Sequence, residues 1–233
     1  SSDLTPDVVA GLSLGEYSAL VASGALRFSE AVALVQKRGQ YMTEAAPQGT
    51  GKMVAVMNAE REVIEKACQE ASAFGIVAPA NYNTPQQIVI GGEVAAVDQA
   101  MTLLKEAGVK RMIPLNVSGP FHTALLQPAS KKLAQDLAKL NFQTMQIPVI
   151  SNTTAEIMPQ EAIQALLEKQ VMSAVRFEDS IETMKAMNVG TMIEVGPGKT
   201  LTGFVKKIDK TIEMHRVEDV ATLTETLTAL TGR

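Results

Sequence analysis

The sequence contains no tryptophan, one cysteine and two histidines, and aromatic residues make up only 4% of it. A single cysteine, Cys68, excludes an internal disulfide and fits a reducing compartment. Cys68 falls within a helical pattern and is expected to be a buried, inert thiol. With so few aromatics, the core must be filled by Leu, Val, Ile, Ala and the twelve methionines. No apolar run reaches the roughly 18 residues needed to cross a bilayer, and no signal-like start is visible, so a cytoplasmic chain with no membrane partner is expected. The net charge of −4 argues against nucleic acid as the main partner. No Cys/His cluster has metal-ligand spacing, so no metal is expected. What remains is 233 residues, 46% hydrophobic, enough for one medium or two small domains with a real core.

The stretch Asp7-Val8-Val9-Ala10-Gly11-Leu12-Ser13-Leu14-Gly15-Glu16-Tyr17 organises the chain. It reads as strand, sharp turn, helix, with Ser13 at the apex of Gly11-x-Ser13-x-Gly15. Small residues two positions either side of a serine suit a nucleophile elbow, where the backbone is strained and the hydroxyl stands clear of the strand end. The N–H groups of the following helix would face developing negative charge at the same point. An ordinary glycine-rich turn is the competing reading.

Helical spacing continues from Ser29 through Ala31, Leu34, Val35, Arg38 and Met42 to a linker, Pro47-Gln48-Gly49-Thr50-Gly51. The pattern then changes to strand 53–57, helix 60–74, strand 76–82, turn 83–85, strand 87–91, helix 93–107 and strand 111–115. This β-α-β-β-α-β order is the ferredoxin-like arrangement, so residues 48–116 are expected to form a small α+β subdomain inserted into a larger domain made of 1–47 and 117–233. The larger part resumes with the loop Asn116-Val117-Ser118-Gly119-Pro120-Phe121-His122, a helix over 125–140, a short strand over 147–151, helices over 161–171 and 177–187, a strand over 192–195, and helices over 201–208 and 220–230. The alternation predicts an α/β fold with a mostly parallel sheet covered on both faces.

A serine needs a base, and there are two candidates. His122 lies in a loop at a domain junction, and His215 in an expected final strand. Loops at strand ends gather active sites, so His122 is the better choice, with a basic limb near neutrality expected in its pH profile. Arg38 is either a solvated helix residue or a planar fork holding a carboxylate through two hydrogen bonds. Gly196-Pro197-Gly198-Lys199 lacks Walker spacing and reads better as a strand-to-helix turn than as a phosphate cradle. Lys206, Lys207 and Lys210 are either solvated or a face for an acidic partner.

Taken together, Gly11-Leu12-Ser13-Leu14-Gly15-Glu16-Tyr17-Ser18, Arg38-Gly39, Gly119-Pro120-Phe121-His122 and Glu194-Val195-Gly196-Pro197-Gly198-Lys199 closely resemble the malonyl-CoA:acyl carrier protein transacylases of bacterial type II fatty-acid synthesis. The resemblance implies an α/β-hydrolase-like core with the ferredoxin-like insert, and an enzyme whose substrates are malonyl-CoA and acyl carrier protein. It implies no cofactor and a monomer. It implies Ser13 as acyl carrier, His122 as general base and acid, and Arg38 as holder of the malonyl carboxylate. Gln170 matches the residue whose backbone carbonyl orients the histidine. The Leu14 N–H matches one oxyanion donor, and Phe121 the malonyl-selective form of its loop. Leu12 stands where the family usually has histidine. The family also carries an N-terminal part with a Gly-Gln-Gly loop that supplies a second oxyanion donor, so the resemblance implies a chain that is part of a longer molecule or weak alone. A hydrolase or transferase for uncharged acyl groups, and a non-catalytic module binding carrier protein or CoA, are the rival readings.

Overall fold

The computed structural model describes residues 4–47, 49–117 and 119–232, so Gln48 of the linker, Ser118 of the loop, Ser1–Asp3 and Arg233 lie outside the described residues. The first described elements are two helices, α1 (Leu14–Ala22) and α2 (Phe28–Ala45). Strands and helices then follow as β1 (Gly51–Met57), α3 (Arg61–Ala71), β2 (Val77–Thr84), β3 (Gln87–Glu93), α4 (Val94–Glu106) and β4 (Arg111–Pro114). The chain continues through α5 (Gln127–Leu137), α6 (Ile163–Gln170), β5 (Val175–Arg176), α7 (Phe177–Ala186), β6 (Thr191–Val195), α8 (Thr200–Ile208), β7 (Glu213–Val217) and α9 (Val220–Thr231). The fold is mixed α/β.

The main sheet has the order β4-β1-β3-β2-β5. Strands β1 and β2 run the same way because α3 connects them, yet β3 returns between them and pairs antiparallel with both. In the same way β1 lies between β3 and β4, antiparallel to each. All of this pairing lies within the part expected to be a ferredoxin-like insert; the mostly parallel sheet was expected of the larger part, where the parallel pairings found among the described residues are all short. Parallel pairing among the described residues is confined to β2 with β5, β6 with β7, and an isolated bridge, Val9 to Val149.

That bridge corrects the strand expected before Ser13, and its shortness has a chemical cause. Val9 donates its N–H to the Pro148 carbonyl at 2.9 Å and accepts from the Ile150 N–H at 3.0 Å. On one side the ladder stops because Pro148 has no N–H to give. On the other, the Gly11 carbonyl takes the Asn152 side-chain amide, while the Asn152 backbone N–H turns to Glu16 at 2.7 Å. The helix expected over 125–140 is also shorter. Residues Ala124–Leu126 form a 3₁₀ turn, and α5 starts only at Gln127, with Pro128 in its first turn where a missing N–H costs nothing.

Both faces of the main sheet are buried, so its central strands carry apolar residues in succession rather than alternation. Val54, Val56, Ile88 and Ile90 pack under α3 and α4 against Ile64, Val97 and Leu104. On the opposite face, Met53, Ala55, Ala80 and Val89 meet Leu115 and Phe121. A second core joins α1, α2, α5 and α6 through Leu20, Leu34, Leu133 and Leu167. A third gathers Ile150, Phe177, Ile181 and Val205. Arg61 of α3 reaches across to Glu178 and Asp179 of α7 at 3.3 and 2.9 Å, tying the sheet's helical cover to the third core. Cys68 is buried in α3, where burial pushes its thiol up to about 12, as an inert core residue requires. No helix among the described residues is long and apolar enough to cross a membrane.

Leu104 is fully buried between α4 and the sheet. Leu104→Ala is expected to lower unfolding stability by about 2–5 kcal/mol, read by denaturant titration, with secondary structure retained.

Candidate active site

Ser13 sits where the chain turns from the Val9 bridge into α1, at φ 55° and ψ −104°. Such a conformation is rare for a residue with a Cβ and has to be held by its surroundings. Gly11 is obligatory beneath it, because a Cβ there would lie 2.0 Å from the Gly15 carbonyl carbon. The Ser13 N–H donates to Asn152 Oδ1 at 2.6 Å, and the Ser13 carbonyl accepts from Gln170 Nε2 at 2.9 Å. Both sides of the strained peptide are thus fixed by amides from distant parts of the chain.

His122, also at positive φ (60°), is brought to the same point. Its backbone N–H bonds the Val171 carbonyl at 3.2 Å, anchoring the loop beyond the end of α6. Its Nδ1 lies 2.9 Å from the Gln170 carbonyl, and its Nε2 lies 2.8 Å from Ser13 Oγ. A carbonyl can only accept, so Nδ1 carries the proton and Nε2 presents its lone pair to the serine hydroxyl. Burial, reinforced by the nearby Arg38 charge, lowers the imidazole from its ordinary 6.5 to about 4. The ring is therefore neutral at pH 7, and the limb expected near neutrality moves well to the acid side.

Arg38 is buried in α2, against the reading of a solvated helix residue. Its Nη2 donates to Ser13 Oγ at 2.8 Å and to Gln170 Oε1 at 3.1 Å. The guanidinium lies 5.4 Å from the Tyr17 ring centroid, and its Nε has no hydrogen-bond partner. Among the described residues no carboxylate forms an ion pair with it. Burial lowers its pKa, but an arginine stays charged. A buried cation with unused donors is prepared for an anion.

Two residues essential to this arrangement were given no role by the sequence reading, although Glu16 lies within the elbow motif. Asn152 clamps Gly11 and Ser13, and Glu16 is fully buried in the first turn of α1. Burial raises the Glu16 carboxyl to about 7 against the lowering effect of its Asn152 and Gln170 hydrogen bonds. The Leu14 N–H, at the start of α1, finds no acceptor among the described residues. Above Ser13 a cavity of about 430 Å³ is lined by Arg38, Met42, Met53, Asn81, Phe121 and His122. Asn81 belongs to β2 and was not among the expected residues; only the folded sheet brings it there.

The other candidates stay apart. His215 on β7 bonds Glu213 at 2.9 Å and lines a separate cavity of about 390 Å³ with Lys199, Lys206 and Arg216. The Gly196–Lys199 turn is no free anion cradle: the Gly196 N–H goes to the Val217 carbonyl at 2.9 Å, and carboxylates already take N–H groups in and just after the turn. The Gly198 N–H donates to Glu218 at 2.7 Å, and Glu194 takes the Leu201 and Thr202 N–H groups at the start of α8. Lys206 and Lys207 are exposed in the last turn of α8, where positive charge complements the helix dipole.

The ring of His122 should titrate by NMR with a midpoint near 4. An unfolded ring binds its proton near 6.5, so its contribution to stability is present above that pH and is lost as pH falls from 6.5 toward 4. Gly11→Ala should abolish the elbow: the Ser13–His122 contact and the folded thermal transition are both expected to fail.

The acyl transferase domain model matches residues 1–229. The malonyl CoA-acyl carrier protein transacylase of Bacillus subtilis (strain 168) is 46% identical over 224 residues, covering 95% of this chain and 71% of its own length. The crystal structure of MCAT from Streptococcus pneumoniae superposes with a TM-score of 0.96 at 60% identity, covering 98% of this chain and 75% of that one. A type II PKS acyl-carrier protein in complex with its malonyl-transacylase superposes at 0.92 with 42% identity, covering 99% and 74%. At this level of likeness along nearly all of its length, the chain belongs to the acyl transferase domain family and, within it, to the malonyl CoA-acyl carrier protein transacylases.

Proposed function

We propose that this protein moves a malonyl group from malonyl-CoA to the phosphopantetheine thiol of acyl carrier protein through a malonyl-serine intermediate. The observation that carries the reading is the buried Arg38, charged, without a carboxylate partner among the described residues and 2.8 Å from the candidate nucleophile. A site for uncharged acyl groups would have no use for such a cation, whose burial is costly unless an anion arrives. A module that only binds carrier protein or CoA would not need a strained serine in line with a neutral imidazole.

In the first half-reaction Ser13 Oγ attacks the thioester carbonyl carbon while its proton passes to His122 Nε2. The tetrahedral oxyanion is held by the Leu14 N–H, the first of α1. The carbon–sulfur bond then breaks, and the proton on Nε2 goes to the CoA sulfur as it leaves. The second half reverses these steps with the carrier thiol: His122 takes the thiol proton, sulfur attacks the malonyl ester, and Ser13 Oγ recovers a proton. The Gln170 carbonyl keeps the imidazole in one tautomer throughout and favours the imidazolium formed in passing. Arg38 grips the malonyl carboxylate, converting binding energy into orientation of the thioester. Phe121 and Met53 close the apolar sides of the cavity and limit hydrolysis of the ester.

The same proposal extends to architecture. Residues 48–116 form a ferredoxin-like subdomain, supported by the order β4-β1-β3-β2 with α3 and α4 on one face. Residues 1–47 and 117–233 form an α/β-hydrolase-like core, supported by the parallel Val9–Val149 bridge leading into the elbow and α1.

Brief exposure to malonyl-CoA followed by intact-mass measurement should give a malonyl adduct that Ser13→Ala abolishes; no adduct on the wild-type chain would overturn the reading. Arg38→Ala should lower malonyl transfer relative to acetyl transfer by roughly 10²-fold, the worth of a charge-assisted pair, and an equal fall for both acyl groups would make Arg38 structural. The kcat/KM profile should stay level from neutral pH downward and fall only as pH approaches about 4, where His122 gains its proton.

A further inference from the structure

The carboxyl of Glu16 is fully buried, sits one helical turn from the nucleophile, and touches neither Ser13 nor His122. Its Oε1 accepts the Asn152 backbone N–H at 2.7 Å, and its Oε2 accepts from Gln170 Nε2. Each of these partners grips the site. Asn152 holds the Gly11 carbonyl and the Ser13 N–H through its side chain. Gln170 holds the Ser13 carbonyl through Nε2, Arg38 through Oε1, and His122 through its backbone carbonyl. The partners lie 136 and 154 residues from Glu16 in sequence, one beyond the Val149 bridge and the other at the end of α6.

We propose that Glu16 is a positioning residue: by accepting from Asn152 with one oxygen and from Gln170 with the other, it sets Ser13, His122 and Arg38 relative to one another. A first-turn glutamate ordinarily faces solvent and favours the helix dipole. Here it faces inward, where an acceptor is worth most because the Asn152 N–H and the second N–H of Gln170 Nε2 would otherwise be buried and unpaired. The Gln170 side chain has no freedom while Glu16 and the Ser13 carbonyl share its Nε2, and that fixes Oε1 toward Arg38. Acyl selectivity therefore depends on a residue that never meets the acyl group. This inference rests on the function proposed above for its kinetic consequence, and on geometry alone for its structural one.

The test is Glu16→Gln, which keeps volume but places an NH2 group against one of the two donors. Three quantities are read on the full chain: the melting temperature, the His122 Nδ1–H proton resonance, and the rates of Ser13 acylation by malonyl-CoA and acetyl-CoA. A folded E16Q protein in which the resonance shifts or broadens away, malonyl acylation falls at least 10-fold, and the malonyl-to-acetyl ratio falls with it supports the proposal. Partial recovery of that ratio in Glu16→Asp, which keeps the acceptor but retracts it, supports it further. A folded E16Q protein with the resonance and the ratio unchanged overturns it and leaves Glu16 as a space-filling residue. If E16Q does not fold, E16D takes its place: the resonance and ratio disturbed in a folded protein support the proposal, both unchanged overturn it. If malonyl-CoA acylates neither wild type nor variant, the proposed function fails while the His122 resonance still decides the placement of Glu16.

Discussion

At Ser13 the backbone holds a left-handed conformation that costs a residue other than glycine on the order of 1–3 kcal/mol, and two side-chain amides, Asn152 and Gln170, hold it there from either side. The rest of the site depends on this restraint. With the elbow fixed, the hydroxyl projects from the start of α1 toward the loop carrying His122, and α2 lies close enough for Arg38 to reach the same oxygen. The restraint also explains the abbreviated strand before the elbow. The groups that would have extended a backbone ladder are spent on the amides and the buried carboxyl that shape the turn.

Electrostatics follow from the same burial. One low-dielectric site contains a neutral imidazole, a guanidinium and a carboxyl shifted to about 7. A positive charge beside the imidazole disfavours its protonation and favours developing charge on the serine oxygen. The cation therefore keeps His122 unprotonated at rest while weakening it as a base, and the Gln170 carbonyl works in the opposite direction by favouring the imidazolium. In water the same three groups at the same distances would influence one another only weakly.

Much of this was legible in the sequence, though unevenly. The elbow was readable from the small residues at Gly11 and Gly15, because steric demand at a sharp turn is local. His122 followed from scarcity, with only two histidines to weigh. The strands and helices between Gly51 and Pro114 followed from their apolar periodicity, within three residues of their ends. The parallel pairing of β2 with β5 did not follow, since nothing in either strand announces a partner from beyond α5 and α6. Asn152, Asn81 and the inward turn of Glu16 were also hidden, because each acts through partners brought near only by folding. Arg38 illustrates the boundary: its helical position was readable, but its burial depended on how α2 packs beside α1 and α5.

The cavity above Ser13 has walls of two origins. Arg38 and Met42 come from α2, whereas Met53 and Asn81 come from the β1 and β2 strands of the main sheet. The distance between the apolar wall and the cation is therefore set by how α2 seats against the sheet, not by either element alone. A substitution in the sheet at Met53 or Asn81 thus reshapes the space in front of Arg38 without touching the helix that carries it. The two walls can in that way vary independently, while Ser13 and His122, held from other parts of the chain, stay where they are.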